Sequence, residues 1–368
     1  MKVCIFGAGS VGVHYARAWS KLGASISVFD IDSEALHRFE HQIWPQRYGG
    51  AMHPSISLNM LESLENSALS FDLTIVGTPP PSHAQLTEMA IDLHLSNFVS
   101  VQKPVGTPSK AILEDFLRIE VLAESKGITL LSGYNHRYSQ AFRALLRILS
   151  TPRWSEADSF SIVVTWREAW DGILRAHPWL NGPSDSYLGH TLSGGGSLFE
   201  HSHGLDLGLF IWRRLTNLPP TEFHADIRWS PDSNYDEDSS VSLISEDLTL
   251  TVSQDVLSLP AEKSIEVRTS SQSVLVEFSS AEDSIRESGP GQSTEKFFPK
   301  SRETDFDSEA SVLCTIIGGL KERAASLEMT DFSQALGVSI LGAAAIHRAR
   351  GDFALSDELL QTWIARQP

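Results

Sequence analysis

Residues Lys2 to Gly12 read KVCIFGAGSVG, a short apolar run that breaks into glycines, and this stretch decides the fold. An unbroken apolar run bounded by glycines has the pattern of a strand buried on both faces. Gly7-Ala8-Gly9-Ser10-Val11-Gly12 is G-x-G-x-x-G, and SVGVHYARAWSKLG behind it reads as a helix closed by Gly23. In a strand–turn–helix unit each of these glycines has its own task. Gly7 permits the tight turn, Gly9 lets the backbone approach a pyrophosphate, and Gly12 lets the helix lie close to the sheet. The helix N-terminus then presents free N–H groups and the positive end of its dipole to phosphates. SISVFD reads as the next strand and ends on Asp30, near the spacing of about 20 residues that the fingerprint expects. Its carboxylate is placed to accept the ribose hydroxyls of a dinucleotide. A carboxylate there repels a 2′-phosphate and no Arg follows at once, so NAD is expected over NADP. Asp32 stands either as the ribose partner itself or as part of the next helix's cap; Ser33 is the expected N-cap of SEALHRFEHQ.

Outward from this unit the alternation continues. LTIVG, NFVSVQK and ITLLSG are further strands, with helices SHAQLTEMAIDLHL and SKAILEDFLRIEVLAESKG between them. Apolar strands alternating with helices predict a doubly wound parallel sheet, the Rossmann architecture, over residues 1–131. After about residue 150 the period changes. FSIVVTW, TEFHADIRWS, SVSLIS, LTLTVSQDV, SIEVRTS and SVLVEFS follow one another through polar turns, which predicts a mostly antiparallel open sheet in a second α+β domain, 132–368. The stretches from Pro231 to Ser240 and from Ser279 to Ser308 read as polar loops. From about Ser308 the chain reads as helix, with C-terminal helices packing back on the first domain, and Ala335 to Ile346 reads as a buried helix.

A net charge of -17 argues against a nucleic-acid or anionic-membrane partner, since both need a basic face. Two cysteines outside any C-x-x-C pair exclude a disulfide framework and a structural zinc, and fit a reducing compartment. The first residues read as a strand rather than a signal peptide, and the longest apolar stretch is too short and too interrupted to span a bilayer. These readings together predict a cytoplasmic protein with a small-molecule partner.

Several side chains stand where such a fold binds ligands. Thr78, Pro79 and Pro80 follow the strand LTIVG, with His83 just beyond, and prolines at that edge make a stiff wall for a cofactor cleft. Lys103, before Pro104, caps the apolar strand NFVSVQ on the same edge, where an amine is placed to act on a cofactor or a proton. Gly194-Gly195-Gly196 run into a segment carrying Glu200, His201, His203 and Asp206. On one helix Glu200, His203 and Asp206, three apart, share a face while His201 points elsewhere. Two His at i and i+2 diverge and no third ligand is evident, so no metal is expected. Trp166, Arg167 and Tyr187 belong to an aromatic-rich region ahead of the glycines; such rings suit a sugar face, though residues of this kind more often serve core or loop packing.

Taken in order, G-x-G-x-x-G, an Asp ending the second strand, T-P-P-x-x-H-A, a K-P-V-G turn, G-Y-N-x-R and G-G-G before the Glu/His/Asp segment resemble the Gfo/Idh/MocA family (glucose–fructose oxidoreductase, inositol dehydrogenase and MocA) from Gly7 to Asp206. The resemblance implies NAD(P)-dependent hydride transfer to or from a carbinol carbon of a sugar, cyclitol or nucleotide sugar. It also implies a homo-oligomer, dimer or tetramer, formed through the second sheet. It makes His203 the acid/base, Lys103 its partner on the same oxygen, and Glu200 and Asp206 orienting or substrate-binding groups. Tyr134, Asn135 and Arg137 match the substrate-side segment; Arg137 is open to a carboxylate or phosphate of a ligand, or to an interdomain salt bridge. Two departures stand out: Gln102 replaces the family's usual Glu before the lysine, and the carboxylate–His spacing is three rather than four. Two other functions fit the same motifs, an NAD-dependent glycoside hydrolase and a non-catalytic dinucleotide-binding regulator.

Overall fold

The computed structural model describes residues 1–64, 69–155, 157–175, 177, 179–216, 218–319 and 327–367. The chain forms two compact units, neither continuous in sequence. Unit 1 comprises Met1–Val105, Glu114–Asn135 and Glu303–Phe332, and unit 2 comprises Gly106–Leu113, His136–Arg302 and Ser333–Pro368.

Unit 1 is built on a six-stranded parallel sheet: β1 (Lys2–Phe6), β2 (Ser25–Asp30), β3 (Ile56–Met60), β4 (Leu73–Val76), β5 (Phe98–Gln102) and β6 (Thr129–Gly133), in the order β3-β2-β1-β4-β5-β6. That order is the doubly wound dinucleotide-binding one, and its direction reverses between β1 and β4, where ligands of such sheets bind. The helices of this unit are α1 (Ser10–Lys21), α2 (Ser33–Arg38), α3 (Trp44–Tyr48), α4 (His83–Asp92) and, from Glu114 on, α5 (Lys110–Ser125). Strands covered on both faces need apolar residues throughout, and Val3 to Phe6 and Leu73 to Val76 are fully buried. Sequence patterning passes over β3, because ISLNM is a half-exposed edge strand with polar Ser57 and Asn59. The helix expected at SEALHRFEHQ ends at Arg38 and is followed by a five-residue π-turn, Phe39–Ile43. Its N-cap is Asp32, not Ser33: the Asp32 carboxylate accepts the Glu34 N–H at 2.9 Å.

Unit 2 is built on an eight-stranded sheet of β7 (Phe160–Arg167), β8 (Glu222–Trp229), β9 (Asp236–Ile244), β10 (Leu248–Asp255), β11 (Glu262–Arg268), β12 (Ser273–Glu277), β13 (Glu282–Gly289) and β14 (Gln292–Pro299), in the order β14-β13-β12-β11-β7-β10-β9-β8. Every pairing is antiparallel except β7 with β10. The helices of this unit are α6 (Gln140–Leu149), α7 (Pro152–Ser155), α8 (Trp170–Leu174), α9 (Gly196–Glu200) and α10 (His203–Leu215), and α10 packs on β7 and β10. Helix α11 (Arg302–Ile317) lies almost wholly in unit 1, whereas α12 (Phe332–Ala349) and α13 (Phe353–Ile364) run into unit 2. The helix expected at Ala335 to Ile346 is the buried middle of α12.

Two stretches read as loops are strands. The segment from Ser279 to Ser308 contains the β13–β14 hairpin, and β14 is the outer edge, so nearly all of its residues face solvent. Its apolar signal reduces to Ile285 and Phe298, too few for a period to show. The segment from Pro231 likewise enters β9 at Asp236, whose buried carboxylate reads as loop chemistry in a sequence. The reading of continuous helix after Ser308 covers residues 320–326, which lie outside the described residues. Both cysteines are free, and burial raises the Cys4 thiol far above its ordinary pKa. Among the described residues no helix is long and apolar enough to cross a membrane.

Candidate active site

In unit 1 the glycine turn joins β1 to α1. Gly7 has φ +104°, which an L side chain rarely adopts, and its N–H donates to the Phe29 carbonyl at 2.8 Å. A Cβ on Gly12 would come 2.0 Å from the Gly7 carbonyl oxygen, so α1 can start here only with glycine at that position. A Cβ on Gly9 would meet nothing within 4 Å, which leaves the backbone open to an approaching group. Ala8 donates its N–H to Asp30 Oδ2 at 2.7 Å, and Asp32 donates to Asp30 Oδ1 at 3.0 Å. A carboxylate has about four acceptor directions, so Asp30 keeps capacity for a diol. Val11 lies beside Gly77 at the neighbouring strand end. Ser10, which opens α1, is buried beneath an arginine absent from the sequence reading. Arg47 donates from Nη1 to the Ser10 carbonyl at 3.0 Å and from Nη2 to Ser10 Oγ at 2.8 Å. These features fit a dinucleotide: an unobstructed turn, a helix N-terminus and an acid beside the ribose position.

The loop after β4 is tied down by its own residues. Ser82 Oγ donates to Thr78 Oγ1 at 2.7 Å and lies 2.9 Å from the Pro79 carbonyl, and Pro80 is buried. His83 is fully buried, with Nε2 2.6 Å from the Thr78 carbonyl and Nδ1 3.1 Å from that of Pro104. Its ring thus links the proline loop to the turn that carries Lys103. Burial pushes its pKa below the ordinary value, against the pull of these carbonyls. Lys103 is half-buried just past β5. Its neighbour Gln102 places Oε1 2.9 Å from the Tyr15 hydroxyl, which lies 2.5 Å from Glu309 Oε2. Tyr134 is fully buried and Asn135 half-buried where β6 ends.

In unit 2 the segment behind the triple glycine is not one helix. Helix α9 ends at Glu200, the chain turns through His201 and Ser202, and α10 begins at His203. Glu200 therefore does not share a helical stripe with His203 and Asp206, which stay one turn apart on α10. His201 turns away and places Nε2 3.2 Å from the Glu168 carbonyl. The His203 ring lies 4.6 Å from that of His136, edge to face, and 5.8 Å from Trp166. Trp166, buried at 1% exposure, packs on Phe278 at 5.3 Å and has the Lys263 ammonium 5.6 Å from its ring centroid.

Asp206 receives both arms of Arg137, with Nε at 2.8 Å from Oδ2 and Nη2 on Oδ1, and both residues are fully buried. This ion pair lies within unit 2, so it is not the interdomain salt bridge that the sequence left open for Arg137. Arg167 lies 3.5 Å from Asp255. Tyr187 donates a long hydrogen bond to Glu200 Oε2 at 3.4 Å. Burial, and then the Glu200 charge, raise the Tyr187 pKa well above the usual phenol range, so it stays a donor.

One further residue positions this segment. Asp236 on β9 accepts hydrogen bonds from Thr191 Oγ1 at 2.5 Å, Ser197 Oγ at 2.8 Å and the Leu198 N–H at 2.7 Å. A Cβ on Gly196, at φ +79°, would lie 2.0 Å from its Oδ1. The glycine thus serves a close approach to a buried carboxylate. Neither Asp236 nor Arg47 carries a sequence signal, since each acts across a long separation. Among the described residues no cluster of His, Cys, Asp and Glu could hold a metal ion.

No protein-family model matches the chain, and no curated protein matches its sequence. Solved structures match it over nearly its whole length. An oxidoreductase from Agrobacterium radiobacter, in complex with NAD+, L-tartaric acid and magnesium, is 19% identical with a TM-score of 0.68, covering 96% of each chain. UDP-N-acetylglucosamine 3-dehydrogenase from Acidithiobacillus ferrooxidans is 14% identical with a TM-score of 0.68, covering 97% of this chain and 99% of its own. The super-repressor mutant of Gal80p from Saccharomyces cerevisiae is 12% identical with a TM-score of 0.71, covering 97% of this chain and 98% of its own. The chain shares the fold of these solved structures. At these identities the likeness is one of architecture, a parallel six-stranded sheet and a mostly antiparallel eight-stranded sheet.

Proposed function

We propose that the protein is an NAD-dependent oxidoreductase that moves a hydride to or from a carbinol carbon of a sugar, cyclitol or nucleotide sugar. The observation that supports this most directly is the glycine turn, with open space above Gly9 and the Asp30 carboxylate on the Ala8 N–H. Solved structures of the same fold include one with NAD+ and one named as a nucleotide-sugar dehydrogenase. A bound nicotinamide supplies the hydride acceptor or donor. His203, at the start of α10, takes the hydroxyl proton in one direction and returns it in the other, the task an imidazole suits near neutral pH. The Lys103 ammonium stabilises negative charge developing on the reacting oxygen. Glu200, with Tyr187 as its donor, offers a carboxylate to a substrate hydroxyl, and Arg137 with Asp206 holds the first turn of α10 in place. Copies of the chain associate through the eight-stranded sheet.

The likeness to Gal80p favours a second reading, a dinucleotide-binding regulator without turnover. One assay separates the two. The protein is incubated with NAD+ and a panel of polyols, sugars and nucleotide sugars while the nicotinamide absorbance is followed. Net NADH with any member of the panel supports the dehydrogenase, and His203→Ala then lowers turnover by about 10²- to 10⁴-fold with NAD+ affinity retained. NAD+ binding with no NADH across the panel supports the regulator.

A further inference from the structure

Strand β5 delivers Lys103 to the ligand-binding edge of the parallel sheet, and the residues on either side of it are tied down. After it, the fully buried His83 places Nδ1 3.1 Å from the Pro104 carbonyl and 3.3 Å from that of Val105. Before it, Gln102 pairs with Gly133 across β5 and β6. A Cβ on Gly133 would lie 2.0 Å from Nε2 and 2.4 Å from Oε1 of Gln102, so glycine there makes the room in which the amide lies. The amide also meets the Tyr15 hydroxyl at 2.9 Å, and the same hydroxyl lies 2.5 Å from Glu309 Oε2. Tyr15 and Glu309 are fully buried, and Gln102 nearly so.

Counting protons gives this row a direction. A phenol has one hydrogen, and with Oε1 of Gln102 turned to it the hydroxyl faces two acceptors. Gln102 Nε2 is then buried with no acceptor among the described residues. The two ends of an amide have the same shape, so hydrogen bonding decides between them. About 2.9 Å is the usual length of N–H···O, and about 2.5–2.7 Å that of O–H···O⁻. Turned about, Gln102 donates from Nε2 to Tyr15 Oη, and Tyr15 donates to the Glu309 carboxylate. Each donor in the row then has its acceptor, and the charge at its end strengthens both bonds.

We propose that Tyr15 and Glu309 are positioning residues for Lys103: the buried carboxylate fixes the donor order from Gln102 to Tyr15 to Glu309, and that row anchors the residue before the lysine as His83 anchors those after it. Held on both sides, the lysine keeps the sub-ångström placement that stabilising a reacting oxygen demands. The inference rests on the reading that Lys103 acts on that oxygen, and adds two residues that act through it.

The test uses the full chain, with NAD+ and whichever polyol or sugar of the panel yields NADH. Tyr15→Phe removes the hydroxyl and keeps the ring that meets Phe306 edge-on. It is expected to lower kcat about 10- to 100-fold, the effect of a catalytic group displaced by up to about an ångström, with KM and NAD+ affinity within roughly twofold. In a Lys103→Ala background the same substitution is expected to change kcat by less than about twofold, because the group it positions is gone. Gln102→Glu gives the hydroxyl two carboxylates and is expected to lose as much as Tyr15→Phe. Combining it with Glu309→Gln reverses the row, one donor and one acceptor again, and is expected to recover most of the loss. That comparison carries the test if Tyr15→Phe shows no cooperative melt. Unchanged kcat in Tyr15→Phe, an equal loss in the Lys103→Ala background, or a double variant no better than Gln102→Glu each overturns the positioning role. A wild type that yields no NADH across the panel overturns the dehydrogenase reading and this role with it, whereas an active wild type with unaffected variants overturns the role alone.

Discussion

At the scale of single residues, His83 is the side chain whose ionisation the fold most clearly opposes. It is fully buried between the Thr78 and Pro104 carbonyls, and desolvation holds its pKa below 6.5. In the unfolded chain the same imidazole takes a proton near the ordinary value of about 6.5. The unfolded state therefore binds more protons than the folded one as pH falls below that value. The stability His83 contributes is complete above about pH 6.5 and is lost as pH falls through the depressed folded pKa. The thermal midpoint of the wild type is expected to drop further between pH 7.5 and pH 5.5 than that of His83→Gln. Every other residue is the same in both proteins, so the difference isolates this ring; parallel pH profiles would remove the assignment. His83→Gln also costs about 1–3 kcal/mol at pH 7.5, through the one carbonyl that the neutral ring's single N–H serves, left without a well-placed donor.

At the scale of elements, the turn from α9 to α10 shows what a sequence can and cannot specify. Asp236 holds Thr191, Ser197 and the Leu198 N–H on one buried carboxylate, whose pKa burial raises above the ordinary value. Asp236→Ala takes the acceptor from Thr191 Oγ1 and the Leu198 N–H, while Ser197 Oγ keeps Ser239 Oγ at 2.9 Å, a loss of about 3 kcal/mol. The expected outcome is a lower melting temperature together with a fall in kcat larger than the rise in KM, because His203 is displaced rather than removed. Asp236→Asn keeps one acceptor oxygen and is expected to recover part of both; an Asp236→Ala protein with wild-type melting and turnover would sink the positioning role. The strand–turn–helix at Gly7 to Gly12 was legible because its constraints are local: a φ of +104° at Gly7 and a helix that meets the Gly7 carbonyl at Gly12. Strands β1, β4 and β5 were legible because double-sided burial demands mostly apolar runs, and β2 and the edge strand β6 because each keeps a short apolar centre between turn signals. The edge strands β3 and β14, and β13 beside β14, were not, since their many solvent-facing residues leave no such run. The break between Glu200 and His203 was equally hidden. Periodicity places both on one face, and the turn at His201 and Ser202 answers to packing on Glu168 and Asp236, far along the chain.

At the scale of the whole molecule, the Rossmann unit is not completed by the first 135 residues. Its third segment, Glu303–Phe332, supplies core as well as charge. Phe306 stacks on His14 at 4.6 Å and meets Tyr15 edge-on at 5.1 Å, while Phe332 packs on Phe116 at 5.9 Å. Asp307 receives Arg17 at 2.7 Å and Lys21 at 2.6 Å. Ser132 donates its N–H to the Thr330 carbonyl at 2.9 Å. Ala310, Leu313 and Ile316 are fully buried. Each large apolar side chain is worth roughly 1.5–3 kcal/mol of burial, and domains as a rule keep only about 5–15 kcal/mol in total. Losing Phe306, Leu313, Ile316 and Phe332 together is therefore enough to unfold the unit. A fragment of residues 1–135, with the whole glycine fingerprint, is expected to melt without a cooperative transition and to bind NAD+ no better than its denatured form. Joining residues 303–332 to that fragment through a flexible linker should restore both. A sharp melt near the full-length temperature from 1–135 alone would show that the third segment decorates the unit rather than completing it. In synthesis the same geometry sets an order: β1 emerges first, yet the cofactor turn it carries lacks its full support until the chain has been made as far as Phe332. Closing so long a loop has an entropic cost that local contacts do not offset, so the nucleotide-binding half is expected to become protease-resistant late.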